Sequence, residues 1–187
     1  MNSRSVGLLG LIALGVGPAV GQPVASGRPV RLDPPDVELV DQTGAPHRFV
    51  HDLIDGKIAV VSFVFTGCST ICSPVGASMG ALEEMLGRRV RAGVSLISVT
   101  LDPFNDTPAQ LAKWRTQFDS APGWRLLTGD PENVDRVLHA MRQDVADVTQ
   151  HDAFLWVGDP RSGNWTRVSA LAAPDTLAAL IKRMEGE

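Results

Sequence analysis

Hydrophobic positions along the chain follow three different rhythms, and each predicts a different element. Ile58-Ala-Val-Val-Ser-Phe-Val-Phe65 and Val94–Thr100 are nearly unbroken apolar runs, the pattern of strands buried on both faces. Val37–Phe49 alternates around Gln42-Thr43-Gly44, which predicts a β-hairpin. Trp124–Leu127 reads as a short strand, and Phe154–Val157 and Trp165–Val168 as two strands separated by a glycine-containing turn. Elsewhere the spacing is helical. Val75, Met79, Leu82, Leu86 and Val90 form one stripe, with Gly93 placed to cap its end. Thr107-Pro108-Ala109-Gln110 has the form of a capping box with proline at the first helical position, and opens a helix carrying Leu111, Trp114 and Phe118. Asp130-Pro131 opens a third helix with Val134, Val137, Leu138 and Met141 on one face. Pro174 starts the last, with Leu177, Leu180, Ile181 and Met184.

The predicted order is hairpin, β, α, β, α, β, α, β, β, α. Such alternation predicts an α/β fold: a central, mostly parallel sheet with helices on both faces. The first residues follow another logic. Arg4 is the only charge before Arg28, and Val6–Val20 is an apolar core closed by Ala19-Val20-Gly21. Residues 1–21 therefore read as a signal peptide cut before Gln22, or as an anchor if retained. Residues 22–36, rich in Pro, Gly and Val, read as a linker, and 37–187 as one folded domain. This leader predicts a periplasmic or otherwise extracytoplasmic protein, soluble after cleavage or attached to the inner membrane.

Composition removes some function classes. With 44% hydrophobic and 20% charged residues and a net charge of −4, the chain has ordinary globular composition and no basic stripe for nucleic acid. The densest basic cluster, Arg88, Arg89 and Arg91, falls on the polar face of the first predicted helix.

The chain has only two cysteines, Cys68 and Cys72. A disulfide closing so short a loop stabilises little, so the pair reads as chemical rather than structural. Both sit between a buried strand and a helix start, where unpaired N–H groups favour thiolate. If the first turn is helical, the two sulfurs share a face and can close a disulfide or grip one metal ion. Zinc in a structural site would need four ligands, and no second cysteine pair exists; soft sulfur favours Cu(I). A third donor could come from any of four histidines. His47 lies in the hairpin, His51 in the loop after it, and His139 in a helix just off its apolar face. His151, which enters the apolar strand from Ala153, is the best placed by topology.

Three segments together resemble the Sco/SenC family, the copper-binding proteins of cytochrome oxidase assembly. They are Val64-Phe-Thr-Gly-Cys68-Ser-Thr-Ile-Cys72, Ser98-Val-Thr-Leu-Asp102-Pro-Phe-Asn-Asp106-Thr-Pro108, and His151-Asp-Ala-Phe-Leu-Trp-Val-Gly-Asp159-Pro160. The first matches the family's Cys-x-x-x-Cys, the second its Asp-Pro-x-x-Asp-Thr-Pro, and the third its histidine eight residues before an Asp-Pro turn. The resemblance spans about Asp36 to Met184 and implies a thioredoxin-like fold. It implies one copper ion per chain, Cu(I) or Cu(II), held by Cys68, Cys72 and His151, with Asp102 nearby as a supporting residue or only a shaper of the Asp-Pro turn. It implies delivery to the copper subunit of cytochrome c oxidase or another cuproprotein, and a thiol reductant for the disulfide form. The chain departs from the family in carrying Ser69 and Ser73 after the cysteines, where proline is common, and Gln150 before the histidine. The segment from Met141 to Gln150 is also shorter than the family's.

A thiol–disulfide oxidoreductase acting through Cys68 and Cys72 is the alternative, and a thiol peroxidase of the same fold a third. Three residues between the cysteines, and Ala153 in place of a proline entering the facing strand, depart from the thioredoxin type.

Overall fold

The computed structural model describes residues 28–118, 121–144 and 153–186. In chain order its strands are β1 (Val30–Arg31), β2 (Glu38–Asp41), β3 (Pro46–Arg48), β4 (Ile58–Val64), β5 (Val94–Thr100), β6 (Arg125–Thr128), β7 (Phe154–Asp159) and β8 (Asn164–Ser169). Its helices are α1 (Cys72–Leu86), α2 (Arg89–Ala92), α3 (Pro108–Arg115), α4 (Pro131–Ala140) and α5 (Pro174–Glu185). The strands form one sheet in the order β1-β8-β7-β4-β5-β6-β2-β3.

A strand with no polar face has to be covered on both sides, and β4 and β5 are: all fourteen of their residues are buried. They pair in parallel at the centre of the sheet, and β6 pairs in parallel with β5. The flanks are antiparallel, β7 and β8 beyond β4 and the β2–β3 hairpin beyond β6. The sheet is therefore mixed, and its parallel character is confined to the three middle strands. Within the stretch read as linker, Val30–Arg31 pair with β8 as an edge strand.

Helices cover both faces. On one face Ser62 and Ser98 share a 2.6 Å hydrogen bond and the Trp124 indole donates to Ser98 at 2.9 Å. Trp124 packs edge-on against Trp114 of α3, and Gly76 of α1 lies so close to Trp114 and Phe118 that a Cβ there would collide with both. On the other face the Trp156 indole donates to Met141 O at the end of α4, at 2.7 Å, and Phe154 stacks edge-on with Phe63 and Trp156.

Local signals hold at the helix starts. The Thr107–Gln110 capping box forms in both directions, and Asp130 caps α4 by accepting from Glu132 N and Asn133 N. One boundary differs. The stripe from Val75 to Val90 is not one helix: α1 stops at Leu86, and Gly87, at φ +52°, turns the chain into the short α2. Leu86 and Val90 are both buried, so the apolar spacing runs through the break. Arg89 of this cluster pairs with Glu185 of α5 at 2.5 Å. Among the described residues no helix is long and apolar enough to cross a membrane.

Candidate metal centre

β4 ends at Val64, still in the core, and the chain reaches the surface only from Thr66 onward. The turn that follows is closed by Cys68 N donating to Phe65 O at 3.2 Å, and α1 begins at Cys72 itself. Cys68 is half-buried in the turn, whereas Cys72 is fully buried, at 0% exposure. Both are free thiols. They are not stacked on one helical face. Instead the Cys72 N–H donates to Cys68 Sγ at 3.3 Å, and Thr70 Oγ1 lies 3.8 Å from the same sulfur. The N-cap residue, Ile71, makes no side-chain cap bond, so the Cys68 sulfur serves the first helical N–H in its place.

Asp106 fastens this turn to the neighbouring strand. It is 1% exposed and accepts from Thr66 N at 3.1 and 3.2 Å, from Thr66 Oγ1 at 2.5 Å, and from Thr100 Oγ1 at 2.5 Å. Thr107, the next residue, caps α3, while Asp106 does the fastening. Only its burial, which the sequence does not display, separates the two roles. The Asp102 carboxylate accepts from Asn105 Nδ2 at 2.8 and 3.0 Å, and its N–H donates to Thr100 Oγ1 at 2.9 Å. These contacts shape the Asp-Pro turn; among the described residues none reaches either sulfur.

The two thiols are driven apart in acidity. Burial pushes Cys72 up to about 12, with the Cys68 sulfur and the Asp106 charge adding to the effect. Partial burial also opposes ionisation of Cys68. Hydrogen bonds from the Cys72 thiol, the Thr70 and Cys72 backbone and the Thr70 hydroxyl outweigh it and hold Cys68 below the ordinary thiol range. The first proton lost comes from Cys68, leaving a thiolate that shares the Cys72 proton.

The histidines sort plainly. His47 is held by Asp41 at 2.9 Å, His51 by Asp52 at 2.8 Å and His139 by Asp144 at 2.9 Å. His151 lies outside the described residues. Among the described residues no cluster of three or more His, Cys, Asp or Glu side chains is arranged to hold a metal ion. The two sulfurs fit a soft ion of low coordination number, and a third protein donor is not among the described residues.

The SCO1/SenC family model matches residues 34–185. A putative copper-binding protein of Stutzerimonas stutzeri is 31% identical over 141 residues, covering 75% of this chain and 64% of that protein. An SCO1 protein homolog of Bacillus subtilis is 38% identical over 106 residues, covering 46% of this chain and 54% of that protein. The chain thus spans less than two thirds of the length of either relative. A SCO1/SenC family lipoprotein from Bacillus anthracis superposes with a TM-score of 0.69 at 25% identity, over 83% of this chain and 96% of that one.

Proposed function

The chain belongs to the SCO1/SenC family, and on that premise we propose that it binds one copper ion through Cys68, Cys72 and His151 and delivers it to the copper subunit of cytochrome c oxidase or another cuproprotein. The observation that carries the proposal is the pair of sulfurs joined through the Cys72 N–H at 3.3 Å, one half-exposed and one buried, at the mouth of a buried strand. Two thiolates satisfy Cu(I) with soft donors and leave one net negative charge, which the N-terminal end of α1 offsets in part. A neutral imidazole completes the set and admits Cu(II) as well. The similarity to a protein described as copper-binding supports the same cargo.

Each residue has a separate task in taking up and releasing the ion. Cys68, more acidic and more exposed, meets the incoming copper first. Cys72 then gives up its proton to bind, so loading releases a proton that a receiving site can return. Asp106 keeps the turn in place while this happens. An extracytoplasmic location, with the leader cleaved or retained as an anchor, fits delivery to a membrane-bound oxidase.

The test is an anaerobic Cu(I) titration of the reduced full chain. One equivalent should bind. Cys68→Ser and Cys72→Ser should each abolish tight binding, and His151→Ala should weaken it and remove most Cu(II) binding. His47→Ala, His51→Ala and His139→Ala should leave both unchanged; a loss from one of these equal to that of His151→Ala would move the third ligand.

One observation favours a second reading. A half-exposed, acidified Cys68 beside a buried, protonated Cys72 is also the arrangement of an attacking and a resolving thiol. In that role the Cys68 thiolate attacks a client disulfide and forms a mixed disulfide, expelling one client sulfur as thiolate. Cys72 then loses its proton and displaces the second client sulfur, leaving Cys68–Cys72 oxidised and the client reduced. An external dithiol reductant restores the pair. The roles are compatible in one protein, because the oxidised pair cannot bind Cu(I).

A further inference from the structure

A groove of about 820 Å³ runs along α4, apart from the two sulfurs. Leu101, Leu138 and Pro35 give it an apolar floor, and the carboxylates of Asp33, Glu132, Asp135 and Asp144 stand around it. Asp144 is paired with His139 at 2.9 Å. Among the described residues the other three carboxylates have no ion pair, and Arg136 is the only Lys or Arg that lines the groove. The lining carries an excess of negative charge that it does not itself balance.

Gln143 is the independent observation. It lines the same groove, it is 2% exposed, and its side-chain oxygen is buried without a hydrogen-bond donor. A buried amide oxygen is ordinarily paired, and one left open marks a place for an N–H. Four carboxylates and an open amide oxygen against one guanidinium call for a ligand that is cationic and rich in N–H groups. The groove also has a telling position. Leu101 follows β5 and donates its N–H to Val64 O at 2.8 Å, so one end of the groove reaches the sheet edge where the Cys68 turn begins.

We propose that this groove holds a basic segment of a partner protein. An arginine or lysine lays its apolar stem along the leucine floor and sets its charged head among the carboxylates and the Gln143 oxygen. The volume exceeds that of one side chain and suits a short stretch of chain. Charge complementarity fixes the occupant, because an acidic segment or the same groove of a second copy would bring like charges together. The proposal rests on the copper reading only in identifying the partner as the protein that meets Cys68.

The experiment titrates the isotope-labelled full chain, followed by backbone amide NMR, with an acetylated and amidated Gly-Arg-Leu-Arg-Gly peptide. Gly-Glu-Leu-Glu-Gly and spermidine are the comparison probes. The basic peptide should give saturable shifts centred on Leu138, Gln143 and Asp144 that weaken as salt is added, and the acidic peptide none. Glu132→Gln and Asp135→Asn should each weaken binding about threefold, the effect of one exposed ion pair. Gln143→Leu should weaken it about tenfold, the loss of an acceptor for a charged donor, without lowering the Tm. Arg136→Gln should strengthen binding about threefold, a gain that damage to the fold does not produce. Cys68→Ser should leave peptide binding intact while abolishing copper binding, so the groove and the copper site fail separately. No saturable binding of the basic peptide, equal binding of the acidic one, tighter binding of spermidine than of the peptide, or groove substitutions without effect would each overturn the proposal.

Discussion

Two buried carboxylates in this protein use the same device for different ends. Glu83 of α1 is 2% exposed and accepts from the backbone of Gly123 and from Trp124 N at 2.7 Å, holding the turn before β6. Asp106, 1% exposed, accepts from Thr66 N and holds the turn before Cys68. Each joins a helix or helix entry to a strand connection about forty residues away in sequence. They differ in charge balance. Glu83 has Arg115 at 3.6 Å, whereas among the described residues every hydrogen-bond donor to Asp106 is neutral. The Glu83 charge is matched locally and its effect stays in the packing. The Asp106 charge is felt by the neighbouring sulfur, where it adds to burial in keeping Cys72 protonated. A buried carboxylate therefore acts as a clamp in both places, but only the one without a cation also tunes chemistry.

Substitution at each carboxylate tests that contrast. Glu83→Ala should have the largest effect on stability, a loss of about 3–5 kcal/mol, because Arg115 and two backbone N–H groups lose a buried partner. Copper affinity of the folded fraction should not change. Chemical denaturation paired with copper titration reads both. Asp106→Asn should cost less, about 1–3 kcal/mol, since the amide still accepts but offers one acceptor oxygen instead of two. Unlike the first variant it should lower the Cys72 pKa, because a charge that raises it is gone. If both variants leave Cys72 acidity unchanged, the contrast between the two clamps fails.

The split in thiol acidity has its own readout. At pH 8 about 10⁻⁴ of Cys72 is thiolate if its pKa stands at about 12. Iodoacetamide should therefore label Cys68 and spare Cys72 in the reduced protein, with mass-mapped peptides as the measure. The same displacement fixes the sign for copper. A ligand whose pKa lies above the working pH must lose a proton to bind, so affinity rises with pH and falls as acid is added. Between pH 7 and 9 the Cu(I) association constant should rise about tenfold per pH unit for each proton displaced. A flat profile would mean that Cys72 is not a ligand.

The smallest effect belongs to the cap next to Asp106, whose hydroxyl bonds to Gln110 and to neither clamp. Thr107→Ala removes the capping box of α3 and should cost about 1 kcal/mol with labelling and copper binding unchanged.

How much of this was legible in the sequence depends on whether the signal is local. The Thr107 and Asp130 caps are complete within four residues, and both form as expected. β4 announces itself because a run from Ile58 to Phe65 has no polar face to expose. The pairing direction of β7 and β8 has no local signature, so the sheet is less parallel than strand–helix alternation suggests. The break at Gly87 hides behind buried residues on both sides of it. Cys68 and Cys72 are visible as a pair, yet the bond from the Cys72 N–H to the Cys68 sulfur depends on a turn that helical spacing misplaces. Glu83 and Asp106 carry no mark of burial, since a charged letter in a helix or beside a cap reads as solvated. Their partners, Trp124 and Thr66, are forty and more residues away. The end of α4 at Arg142, φ +54°, is hidden for the opposite reason: such an end is ordinarily recognised by a glycine.

Copper K-edge X-ray absorption on the Cu(I)-loaded full chain tests the central claim most directly, because it counts the donor atoms. The two-thiolate site with His151 predicts two sulfur neighbours and one nitrogen per copper, reduced to two sulfurs in His151→Ala. A first shell with fewer than two sulfurs per copper, or one unchanged in Cys72→Ser, would contradict it.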